Sequence, residues 1–213
     1  MPATSELRVP VQARAHRTRA ALLAAAEQDF GARGYAAATA RSIAHRAGVA
    51  TGSFYQYFLD KNAALLAVAE QRMQTLELEL QSLVTARTPR AAVLAIIDTV
   101  VAYHTDDRAL HAVLTERRHA DPQLEQLTQA SEQRFVANIE RMLRAFGQSG
   151  DLSARGFMLF GLIEGTVHAH VLGTPFLSDA RFRAALCDAV LAIAAPRSSN
   201  IDKVTSKRTA RTR

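Results

Sequence analysis

The stretch from Ala47 to Lys61, AGVATGSFYQYFLDK, concentrates side chains that can bind a polyanion. Aromatic residues make up only 6% of the 213 residues, yet four of them lie within residues 54–58. The hydroxyl and amide groups of this stretch belong to Thr51, Ser53, Tyr55, Gln56 and Tyr57. Such groups donate hydrogen bonds to phosphate oxygens, and a glutamine matches an adenine edge in the DNA major groove. We therefore expect this stretch to bind a nucleic acid.

The other reactive side chains do not form a pattern typical of an enzyme. Cys187 lies in an apolar stretch with helical spacing, which is the setting of an inert buried thiol. We find no Ser/His/Asp group, no glycine-rich phosphate loop and no convergent pair of carboxylates. His168 and His170 suggest a metal pair, but two residues apart on a helix they diverge by about 200°. The sequence therefore predicts no catalytic residue, no metal and no cofactor.

The whole chain has a net charge of +6, and its basic residues are concentrated at the two ends. Residues 1–19 carry four arginines and one acidic side chain, and residues 197–213 carry six basic side chains and one acidic one. Residues 62–196 instead carry 15 acidic and 12 basic side chains. This asymmetry indicates a polyanionic partner, either DNA or an anionic membrane surface. Alternatively, the basic tails only keep the protein in solution.

The overall composition is that of a globular protein with an apolar core. Hydrophobic residues make up 48% of the chain, and the mean hydropathy is −0.04. Since no run of eighteen apolar residues occurs, we expect no membrane span. The N-terminal residues lack the apolar segment of a secretory signal, and one cysteine cannot form an internal disulfide. These features predict a cytoplasmic location.

Apolar residues recur with helical spacing along most of the chain, which predicts an all-α fold of about nine helices. The first helix is expected at 17–33, with Gly34 at its end. Thr39 is placed to cap a short second helix that ends at Gly48, and Thr51 or Gly52 begins the third. The six later helices are expected at about 60–86, 89–104, 106–119, 122–146, 153–172 and 178–195, with caps at Asp60, Thr88 and Asp121.

Residues 39–58 have the features of a helix-turn-helix, in which two short helices meet at a tight turn. Gly48 suits the turn, and Ala44 is small where the two helices cross. Phe54 and Phe58 lie four residues apart, so both should point inward towards Phe30. The alternative is that the whole aromatic cluster only builds a helical corner.

These residues resemble the DNA-binding domain of TetR-family transcriptional regulators over the segment TARSIAHRAGVATGSFYQYFLDKNAALL, residues 39–66. The resemblance implies a three-helix N-terminal domain and a six-helix domain for ligand binding and dimerisation. The corresponding divisions are a flexible basic arm at 1–16, the helix-turn-helix domain at 17–61, the effector domain at 62–196 and a disordered basic tail at 197–213. The resemblance also implies DNA contacts by Thr39, Arg41, Thr51, Gly52, Ser53, Tyr55, Gln56, Tyr57 and Lys61.

The resemblance further implies a homodimer, joined through the last two helices, that is released from a double-stranded DNA operator by a small apolar or amphipathic ligand. Such a protein is most often a repressor, and its fourth helix connects the two domains. The aromatic and polar residues expected to line the ligand pocket are Tyr103, His104, Phe157, Phe160, Glu164 and His168. Two positions depart from the family pattern. Ser42 replaces an acidic capping residue, which predicts a weaker start of the second helix, and Leu59 replaces a polar, basic or proline residue.

Overall fold

The computed structural model describes residues 11–83 and 88–195, and within these ranges every regular element is a helix. The nine helices of the described chain are α1 (Val11–Ala37), α2 (Ala40–Arg46), α3 (Thr51–Phe54), α4 (Lys61–Ser82), α5 (Pro89–Thr105), α6 (Arg108–Arg118), α7 (Pro122–Ala145), α8 (Leu152–Leu172) and α9 (Asp179–Ala194). The predicted all-α fold is therefore confirmed.

Most helices start at a side chain that accepts a hydrogen bond from a backbone N–H of the first turn. These caps are Thr39, Asp60, Thr88, Asp107, Asp121 and Asp151. The predicted caps Thr39, Asp60, Thr88 and Asp121 are confirmed. Each supplies an acceptor for a donor that has no partner inside its own helix, so local sequence alone determines where these helices begin.

The first helix differs from its predicted bounds at the N-terminal end. The predicted start at residue 17 is wrong, because α1 begins at Val11, and the flexible basic arm at 1–16 stays a prediction. The reason is local, because alanines and arginines favour a helix and neither proline nor glycine occurs between Val11 and Phe30. Gly34 has a φ of 73°, as predicted for a residue that ends a helical run. Residues 1–10 and the predicted tail at 197–213 lie outside the described residues.

Two groups of buried side chains form the core. The first joins α1–α4 to α6 and the start of α7, and it includes Leu22, Phe30, Leu65 and Leu110, each fully buried. The second lies among α5, α7, α8 and α9. Thus α6 packs with the N-terminal helices although it follows α5 in the chain. The division of the chain between residues 61 and 62 stays a prediction.

None of the helices in residues 11–83 and 88–195 combines the length and the apolar character that crossing a bilayer requires.

Candidate DNA-binding surface and ligand cavity

The corner between α2 and α3 is built around two phenylalanines. Phe54 is fully buried and Phe58 is 4% exposed, and their ring centroids lie 5.5 Å apart. Ile43 and Ala44 of α2 are fully buried in the same core. Gly48 has a φ of 69°, a left-handed conformation that glycine adopts without strain. The predicted inward direction of Phe54 and Phe58 is therefore confirmed.

A buried carboxylate stabilises the start of α2. The Oγ of Ser42 accepts a hydrogen bond from the Thr39 N–H at 2.9 Å, and the Ser42 hydroxyl donates to Asp29 at 2.6 Å. Asp29 is 1% exposed and also accepts from the Nε and Nη2 of Arg46, each at 3.3 Å. The expectation of a weak helix start at Ser42 is wrong, because Ser42 completes the capping box and Asp29 of α1 supports it.

Helix α3 is only one turn long, and the chain continues beyond Phe54 in further turns. The N–H groups of Tyr57 and Phe58 both donate to the carbonyl oxygen of Phe54 at 3.0 Å. Of the nine predicted DNA contacts, six are exposed: Thr39, Arg41, Thr51, Gly52, Tyr55 and Gln56. The other three, Ser53, Tyr57 and Lys61, are half-buried. These turns thus present hydroxyl and amide groups around the end of a very short helix.

The ammonium group of Lys61 is already occupied within the protein. Its Nζ donates to the carbonyl oxygens of Tyr35, Ala36 and Ala38 at 2.8, 3.2 and 3.1 Å. It also lies 4.4 Å from the centroid of the Tyr35 ring. An ammonium has three protons to donate, so in this arrangement each of them has an acceptor within the protein. Lys61 therefore fixes the start of α4 against the end of α1, and its predicted phosphate contact stays a prediction.

The first turns of α1 extend this surface with positive charge. Arg14, Arg17 and Arg19 are exposed, and none of residues 12–21 is buried. The guanidinium carbon of Arg19 lies 5.7 Å from the centroid of the Phe58 ring, which places this part of α1 beside the turns after α3. No acidic residue occurs in α1 before Glu27. This arrangement suits contact with a phosphate backbone.

Helices α4–α8 enclose a cavity of about 340 Å³. Its apolar walls are formed by Met73, Leu76, Leu114, Leu124, Phe135 and Phe160. Its polar lining consists mainly of Tyr103, His111, Thr115, Arg118, His119, Thr128, Ser131, Glu132, Glu164 and His168. Of the predicted pocket residues, Tyr103, Phe160, Glu164 and His168 therefore line it. The volume is at the lower end of the range for small-molecule pockets.

Two of the predicted pocket residues do not line this cavity. His104 is fully buried behind it, where its Nδ1 hydrogen-bonds to the carbonyl oxygen of Val100 at 2.8 Å. Phe157 is 64% exposed on the outer face of α8. Helical periodicity shows which residues share a face of α8, but the neighbouring helices determine which face borders the cavity.

Sequence reasoning missed the contribution of α6 and α7 to the cavity. The lining residues of α6 are His111, Leu114, Thr115 and Arg118, which recur at helical spacing. That spacing was the available signal. It did not indicate a packed face, because three of these four residues are polar.

Three histidines and one carboxylate meet at one end of the cavity. The ring centroid of His104 lies 4.4 Å from that of His111 and 5.8 Å from that of His168. The Nε2 of His104 lies 3.2 Å from Oε1 of Glu164. Among the described residues, no group of three or more His, Cys, Asp and Glu side chains is arranged to hold a metal ion.

These groups shift each other's pKa values. Burial alone would lower the pKa of His104, but the hydrogen bond to Glu164 and its negative charge outweigh burial and raise it. Burial would likewise raise the pKa of Glu164, and His104 outweighs it, so the pKa of Glu164 falls. Burial and the neighbouring His104 and His168 lower the pKa of His111 to about 4. The cluster therefore favours a charged His104–Glu164 pair beside a neutral His111.

Some polar side chains on α6 and α7 have hydrogen-bond partners within the described residues, and others have none. Arg118 donates to Glu125 at 2.6 Å and to Glu132 at 2.7 Å, so two carboxylates hold one guanidinium. Ser131 is 2% exposed, and its hydroxyl has no hydrogen-bond partner within the described part of the chain. A buried hydroxyl without a partner is costly, so Ser131 is available to a molecule in the cavity.

Direct contacts connect the cavity wall to the N-terminal helices. Arg72 of α4 donates to Glu27 of α1 at 2.7 Å and to the carbonyl oxygen of Tyr103 at 3.1 Å. Arg117 of α6 lies 4.2 Å from the centroid of the Tyr35 ring, near the end of α1. Both α4 and α6 therefore contact α1 as well as the cavity.

The outer face of α8 is apolar and exposed. Phe157 and Met158 are 64% and 57% exposed. Space is open where a side chain at Gly161 would lie, so another backbone can approach α8 closely there, whereas Gly165, which is also open, borders the cavity. The exposed residues of α9 are mixed, since they include Ala184, Ala185 and Ala192 but also the charged Arg181 and Asp188.

A helix-turn-helix surface joined to a helical domain with an internal cavity defines a class of DNA-binding regulators. The family model described as "Bacterial regulatory proteins, tetR family" matches residues 22–68. The model described as "Tetracyclin repressor-like, C-terminal domain" matches residues 88–192. The chain belongs to the TetR family of transcriptional regulators. It is therefore a DNA-binding regulator and not an enzyme.

Solved structures share this fold at low sequence identity. A protein from Mesorhizobium loti described as a TetR-family transcriptional regulator is 22% identical, with a TM-score of 0.69, and the match covers 84% of this chain and 98% of that one. A regulator from Streptomyces coelicolor is 23% identical, with a TM-score of 0.68 and coverage of 84% and 99%. The fatty acid degradation regulator FadR from Bacillus halodurans is 18% identical, with a TM-score of 0.63 and coverage of 82% and 94%. No curated protein sequence matches the chain.

Proposed function

We propose that this protein is a homodimeric repressor that a compact amphipathic ligand releases from its operator. The observation that carries the proposal is the position of Arg72, which binds both Glu27 of α1 and the backbone of the cavity residue Tyr103. A ligand that moves Tyr103 acts directly on a contact of the DNA-binding helices. The proposed units are the helix-turn-helix at residues 17–61 and the effector domain at 62–196, acting on DNA in the cytoplasm.

The proposed DNA-reading surface centres on α3 and the turns that follow it. Tyr55 and Gln56 are exposed there, and the hydroxyl of Tyr57 belongs to a half-buried ring that packs on the core. We assign base or phosphate contacts to Thr39, Arg41, Thr51, Gly52, Ser53, Tyr55, Gln56 and Tyr57. Lys61 acts indirectly, because it holds α4 against α1. Exposed arginines of α1 add contacts to the phosphate backbone.

The proposed dimer is formed by the outer faces of α8 and α9. Phe157 and Met158 supply apolar area, and Gly161 permits close approach of the partner helix. Two-fold symmetry then presents two copies of α3 to successive major grooves about 34 Å apart. A palindromic operator follows from this symmetry.

The proposed release mechanism requires only a modest coupling free energy. A hundredfold decrease in operator affinity corresponds to about 2.7 kcal/mol of differential ligand binding between two conformations. We infer that α4 transmits this difference through Arg72, as the family resemblance predicts. Helix α6 supplies a second route, because it lines the cavity and packs on α1.

The test starts with selection of operators from a random DNA pool by the purified protein. We expect a palindrome with half-sites one helical turn apart. Tyr55→Phe and Tyr57→Phe should each weaken binding to that palindrome about tenfold, since each removes a hydroxyl that donates to a charged phosphate. Fluorescence anisotropy with labelled DNA measures the change.

Tyr103→Phe is the matched control, because it removes the same hydroxyl from the cavity wall. Its operator affinity in the absence of ligand should equal that of the unmodified protein. Selection of unrelated sequences, or unchanged affinity of both Tyr55→Phe and Tyr57→Phe, contradicts the proposed surface.

A further inference from the structure

We propose that the cavity selects a compact amphipathic amine, whose ammonium group binds the carboxylate of Glu164 and whose apolar body lies against α4, α7 and α8. This inference deepens the proposed function, since it names the ligand class of the same cavity. It rests on that proposal only in taking the cavity as the effector site.

The first argument is the charge that borders the cavity. Arg118 is the one lining residue with a permanent positive charge among those of the described chain, and Glu125 and Glu132 already hold it at 2.6 and 2.7 Å. Glu164 adds a further carboxylate. An anionic ligand would therefore meet carboxylates and would have to separate Arg118 from its partners, which is costly in a partly buried site.

The second argument is the free hydrogen-bonding capacity of Glu164. Its Oε1 is paired with His104, whereas its Oε2 has no hydrogen-bond partner within the described residues. The Glu164 side chain is 39% exposed and lines the cavity. A carboxylate oxygen accepts hydrogen bonds and donates none when ionised. It therefore matches a group on the ligand that donates hydrogen bonds, and a cationic donor binds it most strongly.

Glu164 is already paired with His104 through Oε1, so a cation on the ligand is accommodated at Oε2, beside the uncharged His111. His111 has a pKa of about 4, so it is neutral near neutral pH and does not repel an ammonium group. Tyr103 also lines this end of the cavity, but its ring already faces Arg72, whose guanidinium carbon lies 5.1 Å from the ring centroid, so the carboxylate of Glu164 is the group that attracts a cation here. An ammonium at Oε2 would compete with the proton on His104 for the same carboxylate.

The remaining walls define the rest of the ligand. Six apolar side chains from α4, α6, α7 and α8 line the cavity, so the body of the ligand should be aliphatic or aromatic. The unpartnered hydroxyl of Ser131 lies in the same lining, on α7. It offers one hydrogen bond to a second polar group on the amine.

The experiment compares three probes with the same body and different head groups: octylammonium, octanol and octanoate. Isothermal titration calorimetry measures their binding to the full-length protein near neutral pH, without DNA. We expect octylammonium to bind at least tenfold more tightly than octanoate, with octanol between them. Equal or tighter binding of octanoate overturns the proposal, and so does the absence of binding by all three probes.

Glu164→Gln tests the residue assignment, because it keeps the size of the side chain and removes its charge. We expect octylammonium to lose about tenfold in affinity, while octanol binding stays within about twofold. Retained octanol binding also shows that the cavity has folded. Glu116→Gln is the matched control, since Glu116 is exposed on α6 and does not line the cavity. A preference for octylammonium that survives Glu164→Gln contradicts the assignment.

Operator binding is measured separately with the same probes, so that the two proposals can fail independently. If octylammonium binds selectively but leaves operator affinity unchanged, ligand-controlled release fails and the ligand class stands. If octanol and octanoate release the protein from its operator to the same extent as octylammonium, the proposal of ligand-controlled release stands and the proposed preference for an amine fails.

Discussion

Asp29 and Glu164 are acidic residues with little access to solvent or only partial access, and each is stabilised by a basic partner. Asp29 accepts hydrogen bonds from Ser42 and Arg46 in the corner of the helix-turn-helix. Glu164 is paired with His104 beside the cavity. A buried charge is tolerated only when such partners replace water. At the residue scale, the DNA-binding corner therefore depends on one buried carboxylate, and the cavity on one that is partly exposed.

His111 should make the stability of the protein decrease in acid. Its folded pKa of about 4 lies below the ordinary value of 6.5, so the folded state binds fewer protons than the unfolded state between these values. The stabilisation is present above about pH 6.5 and is lost as the pH falls towards about 4. The charged or titratable neighbours that set this shift are His104, His168, Glu164 and Arg72.

His111→Gln removes this titration and should reduce the acid sensitivity. Urea denaturation at neutral pH and at about pH 5 should show a smaller loss of unfolding free energy in the variant than in the unmodified protein. His104 has the opposite sign, since its raised pKa gives stability that is lost as the pH rises. His16→Gln is the control, because His16 is exposed on α1. An identical pH dependence in His111→Gln and the unmodified protein would refute the assignment.

At the scale of elements, α1 is the helix on which the DNA-binding surface and the cavity both depend. It packs against α2, α4 and α6 in one core. Its C-terminal carbonyl groups are bound by Lys61 of α4, and its Glu27 is bound by Arg72 of the same helix. These two contacts between α4 and α1 are separated by two to three helical turns. A shift of α4 must therefore move α1.

Lys61→Met should destabilise the fold, whereas Arg41→Met should not. The first change leaves three carbonyl groups at the end of α1 without their donor, which we expect to cost about 1 to 3 kcal/mol. Arg41 is exposed on α2, so its loss should weaken operator binding and leave stability within about 0.5 kcal/mol. Urea denaturation and fluorescence anisotropy measure the two quantities. Equal stability of Lys61→Met and the unmodified protein would show that these contacts contribute nothing.

At the scale of the whole molecule, the proposed dimer places α8 and α9 between the two copies, so their exposed faces would set the spacing of the two DNA-binding surfaces. The cavity lies on the inner side of α8, and Phe157 lies on its outer side. The same helix thus borders both the ligand site and the proposed dimer interface. Ligand binding can therefore alter the relative orientation of the two copies of α3 as well as the position of α4.

Phe157→Glu should convert the protein to a monomer, because it places an unpaired charge in the proposed apolar interface. Sedimentation equilibrium should show the monomer mass, and operator affinity should fall at least tenfold, since only one half-site is then bound at a time. Phe146→Glu is the matched control. Phe146 is 68% exposed at the C-terminal end of α7 and belongs to neither α8 nor α9, so this variant should remain a dimer. A dimer that persists in Phe157→Glu places the interface elsewhere.

The sequence alone determined the helices, their caps and the helix-turn-helix. Thr39, Asp60, Thr88 and Asp121 act within their own first turns, and the apolar period of a helix repeats within a few residues. Such signals are local, so they are readable without knowing what packs against them. The start of α1 was missed because a run of alanine and arginine carries no apolar stripe.

Only the tertiary structure decided which face of each helix meets the cavity, the core or the surface. Phe157 and Phe160 lie three residues apart on α8, yet the first is exposed and the second lines the cavity. His104 is buried behind the wall, while His111, Arg118 and Ser131 join the lining from α6 and α7. Lys61 binds carbonyl groups that lie more than twenty residues earlier in the chain. These contacts form between segments that are distant in sequence, so helical periodicity gives the faces of each helix but not their neighbours.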